Sequence, residues 1–423
     1  MKTKPLRVAL LGFGTVGGSV ARILMERPEL TDRIQLTHIF NRGVERKRVD
    51  WIPANVVWTE NVDELLAAKP DAVVEVVGGV EPAGTWVRRA LEQSTAVVTA
   101  NKMLLAAHAP ELLHLAATRG TQLRFEAAVA GGVPLIHGVR EGLAGDRLMR
   151  VAGILNGTSN YVLSKMAEGH EPMSAVLDDA RRLGYAEADP SADIDGDDAA
   201  AKLVVLAGIA FRRHLRLADI PRQSIRPISA ADFRYARSLG CTIRQIAMVE
   251  TKGDRFHAFV GPALVLRGSH FGLNMGANNV VTISGHYGGE NSFSGPGAGG
   301  PATAVAVVSD LLSLTQRTQD RSEEWPAGQV AAAAPRPYYL RFVVYDRPGI
   351  LASIAAALAG QGINLDAVLQ QPGYPKDALP FVITVEACDE ASLTAALDEI
   401  ARFEFHAEPP LSLPMLLGDD ERP

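Results

Sequence analysis

A short run, Leu6 to Leu11, apolar but for Arg7, stops at Gly12 and gives way almost at once to a helical pattern through Met25. Between the two lies Gly12-Phe13-Gly14-Thr15-Val16-Gly17. Glycines at this spacing constrain the chain more than any other feature. The first permits a tight turn out of a strand, the second lets the backbone approach a pyrophosphate, and the third lets the next helix pack against the strand. The helix N-terminus then offers free N–H groups to phosphate oxygens. Alone, the motif also fits a plain strand–helix turn. The residues beyond it narrow the choice. Ile34 to Phe40, Ala72 to Val77, Ala96 to Thr99 and Gln122 to Glu126 read as strands. Helical segments at Val62 to Ala68, Gly84 to Gln93 and Pro110 to Arg119 lie between them. Such alternation predicts an α/β fold with a doubly wound parallel sheet. Gly12, Phe13, Gly14, Thr15, Val16 and Gly17 are its expected dinucleotide-binding loop.

Selectivity in such a fold is read at the end of the second strand, where an acid usually serves NAD. Here that strand ends in Asn41-Arg42, with Arg46, Lys47 and Arg48 close behind. A cation at Arg42 could accept a 2′-phosphate, which favours NADP(H), with NAD(H) still open. Arg42 could equally point to solvent, or fill the phosphate pocket itself. Lys102 follows the fourth strand in Thr99-Ala100-Asn101-Lys102. Ligands of open α/β sheets bind at the carboxyl ends of strands, so Lys102 is placed to reach cofactor and substrate. A lysine there is otherwise an ordinary solvated residue.

After Pro134 the pattern becomes α+β. Leu148 to Leu155 reads as a strand, Ser159 to Glu168 and Pro172 to Leu183 as helices, and Asp197 to Ala210 as a buried helix. Strand candidates follow at Thr242 to Glu250, His257 to Val260 and Asn279 to Ser284. An open mixed sheet covered by helices is expected. The chain has 423 residues, 47% hydrophobic and 21% charged, with a formal net charge of −6. These values suit a soluble multidomain protein and give no basic surface for nucleic acid. Cys241 and Cys388 show no pair spacing, which fits a reducing cytosol. The apolar run at Val8 to Leu11 is too short for a signal peptide. No window reaches the roughly 18 apolar residues of a membrane span, so a cytoplasmic protein is expected.

The densest chemistry lies in Leu183 to Lys202, LGYAEADPSADIDGDDAAAK. Glu187, Asp193, Asp195, Asp197 and Asp198 are too crowded for a buried strand. Asp198 and Lys202 are four apart and share one helix face. Carboxylates beside a lysine suit a small zwitterionic substrate: the acids hold its amino group and the ammonium serves a reacting oxygen. A solvated acidic loop before an ordinary ion pair has the same composition.

This stretch resembles the signature of homoserine dehydrogenases, with glycine, tyrosine, proline and the terminal lysine at the family's spacings. The resemblance covers residues 6 to about 317 and implies a monofunctional NAD(P)-dependent enzyme that reduces L-aspartate 4-semialdehyde to L-homoserine, in threonine, methionine and isoleucine biosynthesis. It implies that Glu187 and Asp198 bind substrate, that Lys202 donates the proton and that Lys102 shares in catalysis and cofactor binding. Asp193 would support that shell, while Asp195 and Asp197 stay solvated. Gly184 would lie against the cofactor, as would Gly297 and Gly299 of GPGAGG, a segment expected to start a helix to about Thr315. Glu126-Ala-Ala-Val129-Ala-Gly131-Gly-Val133 resembles the family's cation loop and implies that Glu126, Val129, Gly131 and Val133 hold a monovalent cation, Na+. Asn156 to Tyr161 also matches, as small polar residues at a helix start where Thr158 or Ser159 would cap. Two other enzymes fit the sequence less well. 3-Phosphoglycerate dehydrogenase shares the general layout but needs a histidine–carboxylate pair, and aspartate semialdehyde dehydrogenase needs a nucleophilic cysteine. A silent sensor would not be expected to keep both lysines and both acids.

Tyr338 to Tyr345, Ile350 to Ala359, Ile363 to Gln370, Phe381 to Ala387 and Glu390 to Arg402 run strand, helix, strand, strand, helix. With Asp346-Arg347-Pro348-Gly349 after the first strand, this resembles an ACT domain of βαββαβ form. The resemblance implies an amino-acid effector, threonine, near Asp346–Leu351 and Asn364, and pairing into a homodimer or homotetramer. A dimerisation module that binds nothing is the alternative. The expected organisation is a Rossmann-type domain at 1–135, a catalytic and dimerisation domain at 136–317 whose residues 295–317 return to the first, a linker at 318–337 and the ACT domain at 338–412.

Overall fold

The computed structural model describes residues 4–169, 171–315 and 324–417. They fall into two compact units, the first drawn from residues 1–151, 198–220 and 279–329, the second from 152–197, 221–278 and 330–423.

The first unit holds a six-stranded sheet of β1 (Leu6–Leu11), β2 (Ile34–Phe40), β3 (Val57–Thr59), β4 (Ala72–Glu75), β5 (Ala96–Thr99) and β6 (Leu123–Arg124). Their spatial order is β3-β2-β1-β4-β5-β6 and every pair is parallel. This is the expected Rossmann-type sheet, and its order reverses between β1 and β4. The strands are apolar on both faces because helices cover both. Val8, Leu10, Val74 and Val98 share a core with Val20 and Leu24 of the helix Thr15–Glu26, and with Val307 and Leu311 of Gly300–Leu314. The strand β3 was not expected; it is only three residues long and Val57 at its start is exposed. The helix expected from Pro110 begins instead at Lys102 and runs to Thr118, with Pro110 in its interior. Asn101 sets that start, because its side chain accepts from Leu104 N at 3.1 Å. Glu126 is not in a strand but in a short turn, Glu126–Ala128. Strand β7 (Leu148–Ile154) carries the chain from the first unit into the second. β10 (Asn278–Gly285) and β11 (Gly289–Pro296) are neighbours, and β11 ends in the glycine loop. Residues 318–323 of the expected linker lie outside the described residues. Beyond them Trp325 is buried, its ring 6.0 Å from that of Phe125.

The second unit contains β8 (Cys241–Lys252), β9 (Arg255–Leu266), β12 (Val330–Ala331), β13 (Arg336–Val344), β14 (Leu365–Leu369), β15 (Leu379–Cys388) and β16 (His406–Leu416). The order is β8-β9-β16-β13-β15-β14, with β12 also against β9. β9 and β16 are parallel, pairing Met415 with Leu264 and Leu416 with Val265, while the pairs from β16 to β14 are antiparallel. The sheet is therefore mixed, as expected. From β13 onward the chain follows the expected βαββαβ order, with helices Ile350–Gly360 and Glu390–Ile400. Tyr338, Leu340, Phe342 and Val344 point to those helices. Tyr339 points the other way, into a core with Phe233, Ala236 and Ile243. Among the described residues no helix is long and apolar enough to cross a membrane.

Candidate active site

The dinucleotide loop follows β1. Gly12 has φ +107°, a conformation that side chains resist, and a Cβ there would lie 3.1 Å from Val76 O. A Cβ on Gly17 would fall 2.1 Å from Gly12 O, so helix and turn close only around glycine. A Cβ on Gly14 would meet nothing within 4 Å. That open face, at the start of helix Thr15–Glu26, fits a pyrophosphate. Phe13 is buried edge-on to Trp58, and its N–H donates to Asn41 Oδ1 at 3.2 Å. Thr15 and Val16 form the first turn, where Gly300 comes so near that a Cβ on it would lie 2.8 Å from Thr15 O. Gly299, at φ +109°, caps the helix that Gly300 begins. Arg42 is exposed at the rim of a cavity of about 390 Å³, lined also by Glu60, Asp63, Trp86 and Arg89.

Three of the expected residues meet on the first unit. Asp198 lies on the helix Asp197–Phe211 and is 9% exposed. Its Oδ1 is 2.9 Å from Lys102 Nζ and its Oδ2 is 2.6 Å from Lys202 Nζ. The i,i+4 spacing brings Lys202, and the strand end brings Lys102. Burial alone would raise the Asp198 carboxyl, but Lys202 and then Lys102 overcome it and hold the group well below its ordinary value. One carboxylate thus gathers two ammonium groups. The cluster carries a surplus positive charge where an oxyanion can be stabilised.

The Glu126–Val133 loop is built differently from a bare cation cup. Glu126 is 2% exposed and accepts from Ile136 N at 2.9 Å and His137 N at 2.8 Å. Its own N–H donates to Asp310 Oδ2 at 2.8 Å. His137 stands 3.4 Å from Glu126 and 3.3 Å from Asp310. The hydrogen bond with Asp310 raises His137, while burial raises Glu126 against the pull of the two N–H groups. Ala130 and Gly131 both have positive φ, and a Cβ on Gly131 would lie 2.6 Å from Gly297 O. Val129 and Val133 are buried beside them, and Val133 O accepts from Leu135 N. Among the described residues no group of three or more His, Cys, Asp or Glu gathers around a metal position. A cation here would rest on main-chain carbonyls with a Glu126 whose charge is already shared.

On the second unit, Gly184 and Glu187 are exposed after the helix Met173–Arg182. The expectation that Asp195 and Asp197 stay solvated holds for Asp197, which is exposed, and fails for Asp195, which is half-buried. Arg226 grips Asp195 through Nε at 2.9 Å and Nη2 at 3.1 Å, Ser224 donates to it at 2.6 Å, and Arg222 lies 3.2 Å from Asp197. Asp193 accepts from Asn156 Nδ2 at 2.6 Å. Asn156 is also the cap of the next helix, accepting from Ser159 N at 2.8 Å, in place of Thr158 or Ser159. Thr158 donates instead to Tyr185 O, and Ser159 to Gln245. The residues missed by the sequence, Arg226, His137 and Asp310, all act across long separations that spacing does not reveal.

The sequence is similar to known proteins along almost its whole length. Residues 12–126 match the model for the homoserine dehydrogenase NAD-binding domain, 134–312 that for homoserine dehydrogenase, and 338–405 that for the ACT domain. The homoserine dehydrogenase of Mycobacterium tuberculosis is 37% identical over 419 residues, 94% of each chain. That of Bacillus subtilis is 34% identical, covering 95% of this chain and 96% of its own. Among solved structures, a homoserine dehydrogenase from Thiobacillus denitrificans superposes with TM-score 0.90 at 32% identity, covering 98% of both chains. A hyperthermophilic archaeal homoserine dehydrogenase in complex with NADPH gives TM-score 0.65 at 28% identity over 75% of this chain and 99% of its own.

Proposed function

The chain belongs to the homoserine dehydrogenase family and is an NAD(P)-dependent oxidoreductase acting on a CH–OH group, and on that premise we propose that it reduces L-aspartate 4-semialdehyde to L-homoserine with NADP(H). The observation that carries this reading is the Lys102–Asp198–Lys202 cluster. When bound, the nicotinamide supplies the hydride. As the aldehyde carbon is reduced, charge develops on its oxygen, and Lys202 stabilises that oxygen and delivers a proton, through a water molecule. Asp198 keeps both ammonium groups in place, and Glu187 and Asp198 are the acids assigned to substrate binding in this reading. Lys102 serves cofactor and substrate from the end of β5. Gly184, Gly297 and Gly299 complete the cofactor's surroundings in this reading.

Arg42 supports NADP(H): it stands exposed at a cavity beyond β2, with Arg89 on the same wall. The archaeal relative's NADPH points the same way. Glu126, Val129, Gly131 and Val133 would hold Na+. The ACT domain would bind threonine near Asp346–Leu351 and Asn364, tying the activity to an end product of the biosynthetic route.

The test is oxidation of NADPH and of NADH by the full chain with aspartate 4-semialdehyde. Turnover giving homoserine, faster with NADPH, is expected. No turnover with either cofactor would overturn the proposal. Inhibition by threonine, weakened by Asn364→Ala, tests the effector separately.

A further inference from the structure

Glu75 closes β4 with none of its surface exposed. An unpaired carboxylate in such a place would be strongly disfavoured. Its Oε1 accepts from Val77 N at 2.8 Å and Gly78 N at 3.1 Å, and its Oε2 from Thr99 Oγ1 at 2.6 Å. Glu75 and Thr99 are register partners on the parallel strands β4 and β5. The Thr99 hydroxyl in turn accepts from Asn101 N at 3.0 Å. Asn101 donates through Nδ2 to Gly79 O at 2.6 Å and caps the helix that begins at Lys102. The network is a closed ring: carboxylate, loop Val77–Gly79, Asn101, Thr99, and back to the carboxylate.

Two functional elements hang on this ring. On one side is the dinucleotide turn, since a Cβ on Gly12 would lie 3.1 Å from Val76 O and 3.3 Å from Val77 Cγ2. On the other is Lys102, the first residue of its helix, whose Nζ reaches Asp198. Gly78 and Gly79 both have positive φ, so the loop does not follow from regular strand geometry. The hydrogen bonds to Glu75 and Asn101 are what hold it. We propose that Glu75 and Thr99 are positioning residues, which fix Lys102 and the Val77–Gly79 loop in register with the cofactor turn. The proposal rests on the reading that Lys102 serves the reaction. Neither residue touches a reacting atom; each acts through Asn101 and the loop.

The experiment uses the full chain with aspartate 4-semialdehyde and NADPH, and compares Thr99→Val, Thr99→Ser, Lys102→Met and the double variant Thr99→Val/Lys102→Met. Thr99→Val keeps the shape and removes the relay. It should lower kcat by about 10- to 100-fold, the scale of a small misplacement near the chemistry. Its NADPH Kd, read from nicotinamide fluorescence, should stay within about threefold. Thr99→Ser should restore most of the activity. The double variant should be no slower than Lys102→Met alone, because the threonine acts through the lysine. Thr99→Val at wild-type kcat, or losses that multiply in the double variant, would overturn the proposal. Unchanged turnover by Lys102→Met would defeat the reading of Lys102 itself, and this inference with it. Should Thr99→Val fail to fold, Glu75→Gln takes its place, with the same loss in kcat and a weaker NADPH Kd as the expected result. A Glu75→Gln enzyme indistinguishable from wild type would sink the idea.

Discussion

Asp198 in the first unit and Asp232 in the second are both buried among basic or polar partners, and the two clusters are built to opposite ends. In the first unit Asp198 meets two lysines, at 2.9 and 2.6 Å. In the second, Asp232 is fully buried and accepts from Ser229 N, Ser229 Oγ, Tyr339 OH and Arg341 Nη1, all within 3.0 Å. The first cluster has more cation than anion and leaves Lys102 with 35% of its side chain exposed. The second sets a fully buried carboxylate against a guanidinium that is 4% exposed. The choice of base follows the same logic. An ammonium can release a proton and recover it, whereas a guanidinium stays charged at any working pH and holds several acceptors at once. Arg341 also reaches Pro227 O at 3.3 Å and Glu408 at 3.5 Å. On the proposed function, one cluster is a tool and the other a joint.

The largest effect should come from breaking the tool. Lys202→Ala is expected to lower kcat by about 10²- to 10⁴-fold, the range for loss of a general acid. NADPH binding, followed by fluorescence, should change little. Folding should persist too, because Asp198 keeps Lys102. A variant turning over at near wild-type rate would show that the surplus charge is not the proton source. Breaking the joint should leave chemistry to one side and cost stability. Asp232→Ala strands a buried guanidinium, and such losses run to about 3–5 kcal/mol. Denaturant unfolding of the variant should show it; a loss under about 1 kcal/mol would mean the pair is not the cement it looks like.

A third test lies between the two. Arg226 grips Asp195 with about half of its side chain exposed. Exposed pairs contribute roughly 0.2–1 kcal/mol, so Arg226→Ala should barely move the unfolding midpoint. If Glu187 binds the semialdehyde as proposed, Arg226→Ala should nevertheless raise its KM, because Asp195 belongs to the segment that carries Glu187. An unchanged KM would reduce Arg226 to decoration. The smallest effect is a difference in pH response. The Asp198 value is depressed, so its contribution to stability is present above the unfolded value of 3.8 and is lost as pH falls below it. Tyr339 is raised well above 10.0 by burial and by Asp232, so its contribution is present below that value and is lost as pH rises beyond it. Unfolding measured from both ends of the pH range should find the tool weakening in acid and the joint in alkali. Parallel losses at both ends would undo the distinction.

Much of the tool could be read in the sequence. Gly12, Gly14 and Gly17 sit between an apolar strand and a helix, and Asp198 and Lys202 are one helical turn apart. The joint could not. Asp232 and Arg341 are 109 residues apart, and nothing in either neighbourhood announces the other. Glu75 was invisible for another reason: its partners Val77 N, Gly78 N and Thr99 Oγ1 come to it only through the turn of the loop and the pairing of β4 with β5. The start of the helix at Lys102 was hidden because Lys102 to Ala109 is apolar on nearly all sides, so no amphipathic period marks it. Pro110 then looked like a beginning, as proline favours the first helical turn. The strand β11 escaped because it is mostly glycine and polar residues with little buried surface.

The pairing of β16 with β9 has a consequence for how this chain came to be and how it can be altered. The last strand of the ACT fold does not finish its own sheet and stop. It lends its far end, Met415 and Leu416, to Leu264 and Val265. An appended sensor on a loose tether could be clipped away without harm to its host. Here, removal would strip β9 of a neighbour and leave raw, sticky backbone, an invitation to aggregate. Substitutions inside the ACT fold that leave the tail in place should therefore be tolerated better than its removal. Natural selection faces the same restriction: a module once stitched into its neighbour's sheet is no longer free to be lost.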